Sequence, residues 1–412
     1  MPPRRSILAA PALLLLRPEG AFAQPNRRGP PPSNPEPIGP RPERRRLAGP
    51  FRRAPAASGP NFACEVLPRP VRNLEGFGYF LDPASSRADP SRLAMDDAAA
   101  KPLWDWLAVV QRALAVHRAG KAGGAACAVE SMDVWARNDA LLGAFNLQAS
   151  YHRVLVLAGA SLSFLALRRA PGLVPSRADR VARWLAAVAN EARFRYDRRS
   201  EALISDTRNH QAAWAGLASA AAGVAAGDPV LLDWGMGKLR AQLAQVDARG
   251  ALPQELRRAG LALHSHLRAL EAVAALERLG AANKIELTEA ERAAYRRLRD
   301  FCLVHAREPA RIEALVGVAQ ADPWLGDAPP LSRAAGLEIA AVAMPDPETE
   351  AALAPFRPLS EPRLGGEVTG WWLPAGPTAS ATPQSASPQS APPAATPPGE
   401  DGREDSPSPP EP

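Results

Sequence analysis

Histidine and cysteine are scarce in this 412-residue chain, with six of the first and three of the second, and no His/Cys spacing has the rhythm of a structural metal site. Nothing in the sequence calls for a cofactor. Strand-type alternation with β-branched residues is nearly absent, which excludes folds built on large sheets. The apolar run ILAAPALLLL near the N-terminus is too short to span a bilayer, so no stable membrane insertion is expected. No basic cluster is interleaved with aromatics in the way nucleic-acid binding requires, and no fixed-period repeat marks a consensus solenoid.

The net charge of +6 looks basic until it is located. Residues 24–60 hold eight Arg and two Glu, enough to account for the charge of the whole chain. The pI therefore reports this leader and does not show a basic groove. Residues 24–60 and 373–412 are rich in Pro, Ser and charge, and too poor in large apolar residues to offset chain entropy, so both are expected to be disordered. Ahead of them, Met1 to Ala23 has Arg4 and Arg5, then the apolar run, then AFA before Gln24, the layout of a secretory signal. Export implies a periplasmic or secreted protein, in which Cys64 and Cys127 can bridge for up to ~4 kcal/mol. Cys302 is left as a buried apolar residue.

Between residues 61 and 372, apolar residues recur at helical spacing over roughly 98–119, 125–142, 146–169, 178–196, 207–226, 229–247, 253–280, 288–306 and 308–319. Breakers such as RAPGLVPS, AAGDP and DARGALP separate these stretches. The chain is predicted to be all-α, one domain of helices joined by short loops into antiparallel pairs. A ring of helical hairpins fits the count, and a plain bundle is the competing architecture.

Two stretches carry candidate chemistry. In RNHQAAW, residues 208–214, His210 and Trp214 share a helical face beside Asn209, so an amide, an imidazole and an indole can line one cleft. In LPQELRRAGLALHSH, residues 252–266, Pro253 and Glu255 suit a helix first turn. Read as one helix, the stretch puts Arg258 and Ser265 two turns apart on one face, with His266 slightly to the side and His264 pointing away. Taken alone, each stretch reads better as ordinary residues, the first as core and the second as a surface arginine pair on an amphipathic helix.

These stretches stand in order with YFLDPASS at 79–86, ACAVESMDVWARNDALL at 126–142 and FRPLSEPRLGGEVTGWW at 356–372. In that order they resemble the alginate lyases, the poly-β-mannuronate lyase family with an (α/α) toroid fold. The resemblance implies an incomplete toroid over residues 61–372 and a cleft for an acidic polysaccharide. It implies that Asn209, His210 and Arg258 hold a uronate carboxylate, and that Tyr79, Trp214 and Arg257 contact substrate. Tyr79 either closes over sugar or pins its loop to the rim, and Trp135 is expected in the core. The family's proton-transferring Tyr falls on Ser265, whose hydroxyl is shorter in reach and a far weaker acid than a phenol. Arg208 stands where the family has a further Asn, and Val156 where it commonly has an aromatic.

The reading is an exported lyase-like protein that cleaves or binds a uronic acid polymer by β-elimination. His210 or His266 then takes over the proton role, since a neutral imidazole is the natural substitute base. The alternatives are an inactive polysaccharide-binding or envelope scaffold protein of the same fold, and a lyase for another uronate polymer with its base elsewhere in the groove. The sequence leaves the oligomeric state open.

Overall fold

The structure, a computed structural model, describes residues 47–197 and 206–374. The signal-like segment, most of the leader and nearly all of the C-terminal tail lie outside the described residues.

Among the described residues twelve α-helices follow in chain order: α1 (Pro90–Arg118), α2 (Gly124–Arg137), α3 (Leu147–Leu167), α4 (Pro175–Arg193), α5 (His210–Ala226), α6 (Pro229–Leu243), α7 (Pro253–Leu256), α8 (Ala262–Ala282), α9 (Glu289–Arg307), α10 (Pro309–Val316), α11 (Ala335–Ala343) and α12 (Pro347–Leu353). Their starts are written locally. Asp89, Asn146, Asn209, Asp228 and Asp346 each accept backbone N–H groups as N-caps, and Thr288 and Glu291 form a reciprocal capping box. Pro fills the first helical position of α1, α4, α6 and α10, where no amide partner is needed.

Helices α1/α2, α3/α4, α5/α6, α8/α9 and α11/α12 pack as successive hairpins. The first members pack on one another in the series α1, α3, α5, α8, α11 and form an inner layer, while α2, α4, α6 and α9 cover them from outside. This is the incomplete (α/α) toroid. Burial follows the layers. Helices α3, α5 and α8 are buried on nearly all sides, whereas α4 and α9 each keep a polar outer face. Among the described residues α3 alone is long and apolar enough to cross a membrane; here it is a core helix enclosed by α1, α4 and α5.

Helix α5 is the hub, and its sequence of Ala and Gly is the reason. A Cβ on Gly216 would sit 2.7 Å from Lys238 Cβ, and one on Gly235 would sit 2.4 Å from the Gly216 carbonyl, so the α5–α6 backbones meet at distances only small residues allow. Trp106 and Trp135 stack at 4.0 Å in the core between α1 and α2, which places Trp135 where the sequence predicts it. Cys64 and Cys127 are disulfide-bonded and Cys302 is a buried free thiol.

Three features differ from the sequence reading. The stretch predicted as one helix over 253–280 breaks at residues 257–261, with Ala259 at a left-handed φ of 48°. Gly260 is the only local breaker in that stretch, and a single Gly inside a helical pattern does not by itself announce a break. Helices α11 and α12 were not anticipated, because both are short. The domain also begins before residue 61. Leu47 is buried and its carbonyl accepts from Arg168; Ala48 exchanges two hydrogen bonds with the Asn283 amide; and the Phe51 ring lies 4.8 Å from Trp372. Residues 47–60, grouped by composition with the leader, thus close the domain against its C-terminal end, where Leu373 N–H donates to the Pro50 carbonyl.

This clasp sets a testable boundary. Removing the burial of Leu47 and Phe51 should cost on the order of 3 kcal/mol. A protein starting at residue 61 should therefore melt several degrees below one starting at residue 47 in a thermal scan, and Phe51→Ala should reproduce part of the same loss.

Candidate functional site

The N-terminal ends of α1, α3, α5 and α8 converge on a cleft of ≈ 730 Å³. The convergence follows from the hairpin repeat, since every inner helix runs in the same direction after its outer partner returns. Four helix N-termini thus face one cavity, an environment that favours anions. The remaining walls are the loop around Tyr79 and Phe80, the Arg195 and Asp206 pair, Arg258, Trp324 and Arg363.

At its centre Asn209 caps α5, with Oδ1 accepting from Gln211 N at 2.9 Å. His210 opens the helix. Its backbone N–H donates to Glu255 Oε1 at 2.6 Å and its Nδ1 meets Glu255 Oε2 at 3.0 Å. An ionised carboxylate can only accept, so Nδ1 carries the proton and Nε2 the lone pair. Glu255 is fully buried. Burial alone would raise its pKa, but the His210 ring and the Arg258 guanidinium outweigh it and hold the carboxyl at about 2.

Arg258 lies in the break between α7 and α8, with its guanidinium 5.3 Å from the Phe80 ring centroid. It is buried, its Nε has no hydrogen-bond partner, and it has no ion-pair partner among the described residues. A buried guanidinium with no direct ion pair among the described residues, at the wall of a cleft, is a ready site for an anionic ligand group. Arg268, by contrast, is engaged by Glu271 at 2.6 Å and Glu361 at 2.7 Å, and Arg195 is paired with Asp206.

The structure therefore brings together Tyr79, Asn209, His210, Trp214 and Arg258 from the sequence-derived set. Trp214 forms floor more than platform: it is 1% exposed and its indole N–H donates to the Arg268 carbonyl at 2.9 Å. Three expected residues stand elsewhere. Arg257 is exposed and does not line the cleft. Ser265 is fully buried outside it, with a hydroxyl that has no hydrogen-bond partner. His266 is spent on structure, donating from Nδ1 to the Ala262 carbonyl at 2.7 Å and accepting the Leu252 N–H on Nε2 at 2.9 Å. The cause of these three corrections is the break at 257–261, which takes Arg258 off the α8 axis and rotates the face of α8. Val156 is also buried in α3 away from the cleft, and Tyr151 is the aromatic from that helix that lines it.

The same rotation brings in His264, which the unbroken-helix reading turned away. Its Nδ1 meets Asp322 Oδ2 at 2.6 Å and its ring lies 4.7 Å from Trp324. A third imidazole, His152, meets Asp96 Oδ2 at 2.8 Å, and Asp96 also accepts from Gln148 and the Phe77 N–H. Three carboxylate-bound histidines thus border one cleft, with Trp104 and Trp324 as partly exposed indoles for ring stacking. Asp96, His152, Asp322 and Trp324 carry no short-range signal, because each partner is more than fifty residues away or outside any helix. Among the described residues no group of three His, Cys, Asp or Glu is arranged to hold a metal ion.

A helical toroid with an anion-favouring, aromatic-lined cleft over the ends of its inner helices is the class this geometry defines. The chain belongs to the alginate lyase family: that family's model, described as alginate lyase, matches residues 79–312. The chain is 26% identical over 312 residues to a polysaccharide lyase of Stenotrophomonas maltophilia, covering 74% of this chain and 90% of that one. It is 28% identical over 262 residues to an alginate lyase of Azotobacter vinelandii, covering 62% and 68%. Among solved structures, alginate lyase A1-III of Sphingomonas species A1 superposes with a TM-score of 0.60 at 19% identity, covering 76% of this chain and 88% of that one. A variant of the same enzyme complexed with a tetrasaccharide gives a TM-score of 0.62 at 19% identity, covering 76% and 87%.

The structural role of His266 predicts an acid response. Burial pushes its pKa down to about 4 from an ordinary 6.5. Between those values the unfolded chain binds more protons than the folded one, so the ring withdraws stability as pH falls from about 6.5 to about 4. His266→Gln should be less stable at neutral pH but lose less on acidification. Urea midpoints measured across that window should show a shallower slope in the variant.

Proposed function

We propose that this protein is an exported lyase that cleaves a uronic acid polymer, of the mannuronate type, by β-elimination. The observation that carries the reading is Arg258: a buried guanidinium that makes no direct ion pair among the described residues, in the same cleft wall as Asn209 and the Glu255-anchored His210. Elimination from a uronate begins with neutralising the C6 carboxylate, which makes the C5 proton acidic and stabilises the anion that forms as it leaves. Arg258 supplies the charge, and Asn209 and His210 supply polar contacts at a helix N-terminus. Trp104 and Trp324 offer faces for sugar rings along an extended chain. The tetrasaccharide complex of alginate lyase A1-III supports an oligosaccharide as the occupant of such a cleft.

Export rests on the signal-like layout of residues 1–23 and is supported by the Cys64–Cys127 disulfide, which persists in oxidising compartments.

The test is ultraviolet absorbance of the C4=C5 unsaturated product when the protein meets mannuronate-rich alginate and a panel of other uronate polymers. The expected outcome is turnover on at least one of them. Arg258→Ala should then lower kcat/KM by ~10²–10³-fold while leaving the helical circular dichroism unchanged. No product from any polymer at high protein concentration would overturn the reading.

A further inference from the structure

Elimination must deliver one proton from C5 to a base and another from an acid to the departing O4. Neither transfer can run through position 265, because Ser265 is buried behind the cleft surface. Of the imidazoles and phenols that border the cleft, Tyr79 and His264 come from elements far apart in the sequence and meet on one ring. Tyr79 comes from the loop ahead of α1 and His264 from the first turn of α8. Trp324 touches both, lying 5.9 Å edge-on from the Tyr79 ring and 4.7 Å from the His264 ring.

We propose that His264 and Tyr79 carry the two proton transfers, His264 Nε2 accepting the C5 proton and the Tyr79 hydroxyl protonating O4. The assignment rests on the elimination reading above.

Both groups are held in place. Asp322 fixes the imidazole through Nδ1 at 2.6 Å, and its other oxygen accepts the Trp324 backbone N–H at 2.9 Å, which sets the indole 4.7 Å from the His264 ring. The same bond sets the tautomer, leaving Nε2 as the acceptor. Tyr79 is anchored by its backbone, whose carbonyl accepts from Asp89 N–H at 2.8 Å, and the adjoining loop is closed by the Phe80–Ala88 bridge and by Asp82 accepting from Ser86 and Arg87.

The protonation states agree with the division of labour. Burial, against the pull of Asp322, lowers His264 to about 4, so the ring is neutral at pH 7. Burial and the Asp96 charge push Tyr79 up to about 12, so the phenol keeps its proton until O4 demands it. Two groups in one cleft with pKa values driven apart are the mark of a base and an acid. His210 is the less suitable base. Its backbone N–H and Nδ1 are bound to Glu255, and it shares a cleft wall with Asn209 and Arg258, where it serves the C6 group.

The step balances within the protein. The C5–H electron pair becomes the C4=C5 double bond, and the C4–O4 pair departs on oxygen, which takes the phenolic proton and becomes the new hydroxyl end. The imidazolium then returns its proton to the phenolate through water, restoring both groups.

The experiment uses full-length protein on the uronate polymer it turns over best. Tyr79→Phe and His264→Gln should each lower kcat by ~10²–10⁴-fold with KM changed only a few-fold. Asp322→Asn, which keeps the volume but loses the charge and the tautomer, should lower kcat while shifting the acid limb of its pH profile. Either Tyr79→Phe or His264→Gln turning over at the wild-type kcat would overturn this assignment while leaving the lyase function standing. A wild-type protein inert on every polymer would overturn that function and this assignment with it.

Discussion

Glu255 is the interaction on which the cleft depends. It is a fully buried carboxylate that accepts both the backbone N–H and the ring Nδ1 of His210, and it lies within electrostatic reach of Arg258. Leaving such a charge without partners in the interior would cost several kcal/mol. Its bonds therefore tie the start of α5 to α7, two points forty-five residues apart. The same bonds fix which His210 nitrogen carries a proton. Structural closure and chemical tautomer are set by one side chain.

Around that tie, the toroid supplies direction. Because each hairpin returns the chain to the same end, the N-termini of α1, α3, α5 and α8 gather at one mouth, and their unsatisfied N–H groups give the cavity an anion preference that no single residue encodes. The close α5–α6 seam at Gly216 and Gly235 keeps the central hairpin thin enough for its neighbours to pack on both sides. The clasp of residues 47–60 on the C-terminal end holds the incomplete ring without a further hairpin.

The loss of a phenol at position 265 reads differently once the break at 257–261 is seen. In an unbroken helix Ser265 would face the cleft and mark a missing acid. With Ala259 in the left-handed region, α8 starts at Ala262 and presents His264 instead, with its Asp322 partner. The cleft is thus rich in imidazoles held by carboxylates, His152, His210 and His264, none of which stands in a metal-binding arrangement among the described residues. That chemistry suits proton management beside a bound acid group.

Local sequence determined the helices and their pairing. Apolar spacing and breakers placed nine of the helical stretches, and the Asn-His-Trp run and Arg258 marked half of the cleft, because helical periodicity and capping act over a few residues. The Cys64–Cys127 bridge was legible as one of three possible pairings, because Cys302 stands in an apolar helical stretch that suits a buried thiol. Tertiary structure decided the rest. Gly260 is the one local breaker beside Ala259, and a lone Gly is too weak a signal to place the break, so the facing of Arg257, Ser265, His264 and His266 was settled by what Glu255 and Arg258 meet across the ring. Asp96, Asp322 and Trp324 became site residues only because ring closure brings loops and helix ends together from distant parts of the chain, and the buried environment that sets their partners' protonation exists only once that closure has expelled water.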